Sequence, residues 1–294
     1  MVVVLCVAAV AVARWWRVSS PYDAARLISV LPTQRATVVY LDAEQLRRSG
    51  MLALLAGSKA AEEPDYRKFV DETGFDYRTD LDAVAAAFGE NRFYATLRGR
   101  FRWKQLTAYA EGQGGECHYS VCTMPGSTVE RNISFYPLKS DVLALAVSID
   151  PQAVSSISTG GKLQIVPRDP FWVSVPAAVF NRSDAFPAGT RAFLSPLAHA
   201  DKVVFAARPQ GDRLQLRLEV ACATPDAAAE LVKQFSGTTG LLKSMIEREH
   251  MTPNPSDLSG VLAAGTFEQR QSTVIGIWPV ERGFVEALAS GQIQ

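Results

Sequence analysis

The chain has little with which to do chemistry. Three histidines, His118, His199 and His250, and four cysteines stand in 294 residues. There is no Gly-x-Ser-x-Gly elbow, no Gly-Lys-Ser/Thr phosphate loop, no His-Glu-x-x-His and no dinucleotide fingerprint. The sequence-visible routes to serine hydrolysis, nucleotide hydrolysis, zinc proteolysis and hydride transfer are therefore missing. An enzyme is not excluded, because catalytic groups often come from distant loops. A charge excess is missing too, with 30 Lys and Arg against 30 Asp and Glu. With no surplus of cations to neutralise phosphates, general nucleic-acid binding is not expected. The short basic spots at Arg47-Arg48 and at Arg98, Arg100 and Arg102 read as solvated faces. A content of 48% hydrophobic residues suits one or two folded domains with a real core.

The polar groups that are present read as local structure. Glu62-Glu63 and Asp65 lead a helix that runs to Glu72 and stops at Gly74, where negative charge compensates the helix dipole. Asp42 with Gln45 resembles a capping box. Asp76, Asp80 and Asp82 look like turn chemistry before a strand. The Gly-rich stretches Ser158-Thr159-Gly160-Gly161 and Gly237-Thr238-Thr239-Gly240 lack the strand and lysine of a phosphate cradle, and read as linkers or helix ends. No catalytic residue, cofactor or metal ligand is nominated.

What the chain does have is an internal parallel. Thr37-Val38-Val39-Tyr40-Leu41-Asp42 running into Ala43-Glu44-Gln45-Leu46 reads as a strand entering a helix, and Phe171-Trp172-Val173-Ser174-Val175-Pro176-Ala177-Ala178 repeats the pattern. A hairpin follows each. The second turns at Pro209-Gln210-Gly211-Asp212 into a strand where Leu214, Leu216, Leu218 and Val220 alternate with Gln215, Arg217 and Glu219, so that one face meets a core. A helix comes next: Trp103 to Ala110, stopping at Gly112, in the first half. In the second, Thr224 caps it, Pro225 opens it and Gly237 ends it. Each half closes with a strand pair and a helix. The first has Ile133–Leu138 and Val142–Val147, then a helix capped by Asp150. The second has Val261–Phe267 and Thr273–Trp278, then a helix opened by Pro279.

The fold expected is α+β, with two similar β-α-β-β-α-β-β-α units of embellished ferredoxin-like type and a mostly antiparallel sheet. The first unit covers residues 22–158 and the second 162–294. Pattern leaves open whether they form separate domains or share one sheet.

Met1 through Ala13 carries no charge, and Arg14-Trp15-Trp16-Arg17 follows at once. A spanning helix needs about 20 apolar residues and a signal-peptide apolar region about 7 to 15. Residues 1–18 are therefore expected to be a short apolar helix acting as a membrane anchor or signal-like segment, or to follow a start placed too late; a first helix buried in the body is the other reading. Trp15 and Trp16 suit a membrane interface. Cys6 has no lipoprotein signal, since Leu5 precedes it. Arg14 and Arg17 on the downstream flank would leave the body cytoplasmic by the positive-inside rule.

The cysteines point the other way. Cys117-His118-Tyr119-Ser120-Val121-Cys122 looks like the two ends of a tight hairpin. Antiparallel partners lie about 4.5 to 5.5 Å apart at Cα, within disulfide range, so a Cys117–Cys122 bridge is expected. A bridge requires an oxidising compartment and so favours an extracytoplasmic body, periplasmic in a bacterium. Cys222, ending an alternating strand, reads as a buried small apolar residue.

Leu31-Pro32, then Ala36-Thr37-Val38-Val39-Tyr40-Leu41-Asp42, then Leu52-Ala53-Leu54-Leu55-Ala56-Gly57-Ser58-Lys59 resemble uncharacterised bacterial exported or membrane-anchored proteins. Their outer domain opens with Leu-Pro, an extended strand, Asp and a helix. Glu63-Pro64 to Gly74-Phe75-Asp76-Tyr77 and Asp80-Leu81-Asp82-Ala83-Val84 share the likeness. It implies a single N-terminal anchor and a repeated α+β body, and carries no activity to transfer. The expected role is a non-enzymatic envelope module. Its partners are the membrane, through the N-terminus, and an unidentified protein or small ligand. The contact surface is expected at a concave sheet or the seam between repeats, with Trp103, Trp172 and Trp278 as candidates to line it. Two alternatives remain: a hydrolase, favoured by a cleft that gathers His199 or His250 with a carboxylate and a Ser or Cys, and a membrane-associated cytoplasmic regulator.

Overall fold

The computed structural model describes residues 22–53, 63–89, 91–128, 130–158, 166–181, 191–211, 213–249 and 252–290. The apolar run with Cys6, Trp15 and Trp16 lies outside them, as do His250 and Thr159-Gly160-Gly161. Among the described residues, no helix is long and apolar enough to cross a membrane.

Among the described residues, twelve strands form one sheet. They are β1 (Thr37–Asp42), β2 (Leu81–Phe88), β3 (Phe93–Gly99), β4 (Glu116–His118), β5 (Val121–Pro125) and β6 (Asn132–Lys139). Then come β7 (Val142–Ser148), β8 (Phe171–Val175), β9 (Lys202–Gln210), β10 (Arg213–Ala221), β11 (Thr266–Arg270) and β12 (Thr273–Val280). Their spatial order is β11-β12-β10-β9-β8-β1-β2-β3-β7-β6-β5-β4. The architecture is thus mixed α+β with a large antiparallel sheet: all neighbouring strands pair antiparallel. The two segments share this sheet across a seam where β1 pairs β8, from Val38↔Ser174 to Leu41↔Phe171. Outward from the seam the order is β1-β2-β3-β7-β6 on one side and β8-β9-β10-β12-β11 on the other, and β4 and β5 extend the first side only. This is not ferredoxin-like pairing. A βαββαβ unit inserts its third strand between the first and the second, whereas here β1 and β2, although joined through helices, pair directly and antiparallel, as do β8 and β9.

The helices are α1 (Ala24–Ser29), α2 (Ala43–Arg48), α3 (Pro64–Thr73), α4 (Tyr77–Asp80), α5 (Trp103–Gly112), α6 (Arg191–Leu194), α7 (Pro225–Arg248), α8 (Leu258–Ala263) and α9 (Arg282–Ser290). Several begin as the sequence prescribes. Asp42 Oδ1 accepts from the Gln45 amide at 2.8 Å, and Thr224 Oγ1 from the Ala227 amide at 3.1 Å. Gly74 ends α3 at φ 65°, a conformation that glycine adopts without a Cβ penalty.

Three elements differ from expectation. Helix α7 does not stop at Gly237 but runs to Arg248. A mid-helix glycine costs about 1 kcal/mol against alanine; burial of Phe235 before Gly237 and of Thr239 after it carries the helix through. Val261 to Ala263 are helix α8 and not strand, because Asp257 Oδ1 caps the Gly260 amide at 2.7 Å. A short apolar run cannot be assigned by periodicity alone. After Asp150 there is only a 3₁₀ turn, Ala153–Ser156, and the last helix opens at Arg282, with Pro279 still in β12.

The faces of the sheet are covered unequally. On one, Leu27, Ile28, Val154 and Ile157 pack over β1, β2, β7 and β8. Thr96 Oγ1, fully buried, donates to Leu27 O at 2.9 Å and ties α1 down. The remaining helices cover the opposite face, where the other two apolar clusters lie. Of the basic spots, Arg48 and Arg100 are mostly exposed, as expected, while Arg98 and Arg47 are drawn into the scaffold. Arg98 Nη1 donates to Tyr22 O at 2.7 Å, Arg47 Nε donates to Arg78 O at 2.5 Å, and Arg100 pairs with Asp80 at 3.1 Å.

Candidate functional site

Cys117 and Cys122 are register partners on β4 and β5, with Cα atoms 4.0 Å apart, and form a disulfide. The two-residue turn between the strands needs positive φ at both positions, and Tyr119 (φ 51°) and Ser120 (φ 89°) supply it. Asn-Gly suits such a turn better than Tyr-Ser. The bridge therefore pins a hairpin whose turn residues favour it weakly. Tyr119 is fully exposed at the tip.

A cavity of about 260 Å³ lies on the helix-covered face of the second half. Its floor is a cross-strand row, Phe171–Ala207–Leu216–Trp278, each member the register partner of the next. Ala207 is the small member and makes the row dip. In the next row Gly276 faces Leu218. A Cβ on Gly276 would sit 2.9 Å from the Trp278 ring, so this glycine lets the indole lie flat on the sheet. Phe193, Leu197, Phe235, Val261, Leu262 and Phe284 make the roof. Arg217 borders the cavity through its strand, while its side chain turns to the other face toward Asp169 (3.4 Å) and Glu219 (3.3 Å). The Trp278 N–H has no hydrogen-bond partner among the described residues and packs against Gly265. The interior thus offers hydrocarbon and aromatic surface and no aligned polar group. Phe171, Phe205 and Leu216 remain only half-buried beneath four helices, while Leu214 and Leu218 beside them are buried.

A second cleft, about 440 Å³, is lined by Ser195, His199, Cys222 and Glu230 among others. It gathers the residue types that would favour a hydrolase, but not their connections. Among the described residues no hydrogen bond joins His199 to Cys222 or Glu230, and His199 and Glu230 are exposed. Burial, and secondarily Asp201, raises the Cys222 pKa, so its thiol is kept protonated and is a poor nucleophile. No group of three metal-ligating side chains occurs among the described residues.

Asp76 anchors a polar knot at the base of α4. Its carboxylate takes Arg78 Nη2 at 2.6 Å, the Arg78 amide at 2.9 Å and the Tyr66 hydroxyl at 2.9 Å. The Arg78 side chain, despite some desolvation, holds the carboxyl down to about 2. This is turn chemistry, as its sequence setting suggested. The three tryptophans do not share a surface. Trp278 lines the cavity. Trp172 stacks on Tyr40 across the seam, on the opposite face, with centroids 5.9 Å apart. Trp103 Nε1 donates to Ser140 O at 3.0 Å. The alternation on β10 showed which residues face a core. The row that places Ala207 between Phe171 and Leu216 depends on strand register and had no signal in the sequence.

No protein-family model and no curated protein matches the chain. Solved structures do. Crystal form I of TP0453, a Treponema protein, is similar with a TM-score of 0.52 at 9% identity, over 91% of this chain and 98% of that one. Form IV gives 0.52 at 11% identity over 95% and 99%. Form III gives 0.51 at 10% identity over 89% and 95%. At such identities the likeness is one of fold: an α+β body on a large antiparallel sheet, matched along nearly its whole length.

Proposed function

We propose that this chain is a non-enzymatic binding protein of the bacterial cell envelope. In this reading residues 1–18 hold it at the membrane, with Trp15 and Trp16 at the interface. The body is extracytoplasmic and takes a hydrophobic small ligand in the cavity over β8, β9, β10 and β12. The apolar cavity carries the proposal: ligand sites are concave and mostly apolar, and among the described residues this one is lined by no side chain that could act as acid, base or nucleophile. The Cys117–Cys122 bridge supports an oxidising compartment. The shared strand order on either side of the seam supports descent of residues 22–158 and 162–294 from one duplicated unit, its copies fused into one sheet instead of two domains.

The test is native mass spectrometry of the full chain purified gently from its own envelope. The expected result is a bound species of small-molecule mass, released on denaturation. If the protein carries nothing and also fails to take up a fluorescent apolar probe, the binding reading is wrong.

A further inference from the structure

Resting on that reading, we infer that the ligand enters the cavity as a single aliphatic chain of medium length, with its polar end left outside. The chemistry of the walls makes the first selection. The floor row and the roof present carbon, and the one indole N–H is turned against Gly265. A buried hydroxyl, amide or charge on a ligand would find no partner there and would lose its hydration uncompensated. The part that enters must therefore be hydrocarbon.

Volume makes the second. A cavity of about 150 Å³ lined by similar side chains holds benzene, so the 260 Å³ here has room for roughly ten carbon atoms. A two-tailed lipid is too large to be enclosed. A chain of about that length fills the space and is long enough to leave its polar end at the opening. The half-burial of Phe171, Phe205 and Leu216 marks where it lies, along the row that dips at Ala207.

The experiment is calorimetric titration of the full chain with hexanoate, octanoate, decanoate, dodecanoate and hexadecanoate, each below its micelle threshold, and with naphthalene. Expected is one saturable site, with affinity rising to about decanoate and then levelling, as the enclosed volume is used up. Ala207→Phe fills the dip and weakens decanoate by roughly tenfold or more, with far-ultraviolet circular dichroism unchanged. Leu218→Ala lengthens the preferred chain, and this second variant holds the test if the first misfolds. Affinity that climbs without levelling through hexadecanoate, or both variants binding like the parent, overturns the inference. Naphthalene binding without decanoate binding overturns the chain and keeps the hydrophobic ligand. Binding of neither removes both.

Discussion

From the seam outward the two sides of the sheet run in the same order, yet they use their helix-covered faces differently. On the first side α5 seats Leu106 and Ala110 on Phe135, Leu143 and Cys122, all at most 7% exposed, with Cys117 half-buried beside them. Phe75 stacks on Phe101 at 5.1 Å, and Phe69 meets Tyr109 edge-on at 5.2 Å. On the second side the 24-residue α7 spans the face with α8 and α9, and a cavity remains beneath them. The first side also grows outward by a disulfide-closed hairpin that the second lacks. One strand order thus carries a compact cluster under α5 on one side and a cavity under α7 on the other. The strands set the frame; the residues at a few register positions and the lengths of the covering helices decide whether it fills.

Truncation should separate the halves most strongly. Leu143→Ala, in the packed cluster, is expected to destabilise by about 2–5 kcal/mol, as buried leucines do. Leu216→Ala faces existing void and half-exposed surface and should cost about 1–2 kcal/mol. Denaturant unfolding of both variants checks this. Equal costs would mean that the second side is packed as tightly as the first.

Reducing Cys117–Cys122 comes next. The loop is short, so the chain-entropy argument gives about 2 kcal/mol. Loss should be local: hydrogen exchange is expected to rise in β4 and β5 and to leave β9, β10 and β12 unchanged. Exchange spreading across the seam would show that the bridge supports the whole sheet.

The smallest effect concerns Asp76, again on the first side. Its folded pKa is held down, from an ordinary 3.8 to about 2, mainly by Arg78. Its contribution to stability is therefore fully present above about pH 4 and lost as pH falls toward 2. Asp76→Asn should lower stability at neutral pH slightly and flatten the fall between pH 4 and 2. An unchanged acid profile would remove Asp76 from the account.

Much of the frame was legible because its signals are local. Asp42, Gly74 and Thr224 act on amides within a few residues, and the alternation from Leu214 to Val220 marks an inward face whatever it meets. The tight spacing of Cys117 and Cys122 let their pairing be read from a hairpin. Helix α7 was read short at Gly237 because a local stop signal was outweighed by distant packing of Phe235 and Thr239. Helix α8 was misread because Val261-Leu262-Ala263 is too short to show a period.

By itself, then, the sequence determined where most strands run and several helices begin, which face of β10 is apolar, and that Cys117 and Cys122 lie at the two ends of one hairpin. The tertiary structure alone decided that the halves join through β1 and β8 into one sheet. It also decided that Ala207 falls between Phe171 and Leu216 in a row that dips. Those outcomes depend on register between strands far apart in the chain. A shift of one residue would turn every side chain to the other face, and no local propensity encodes that choice.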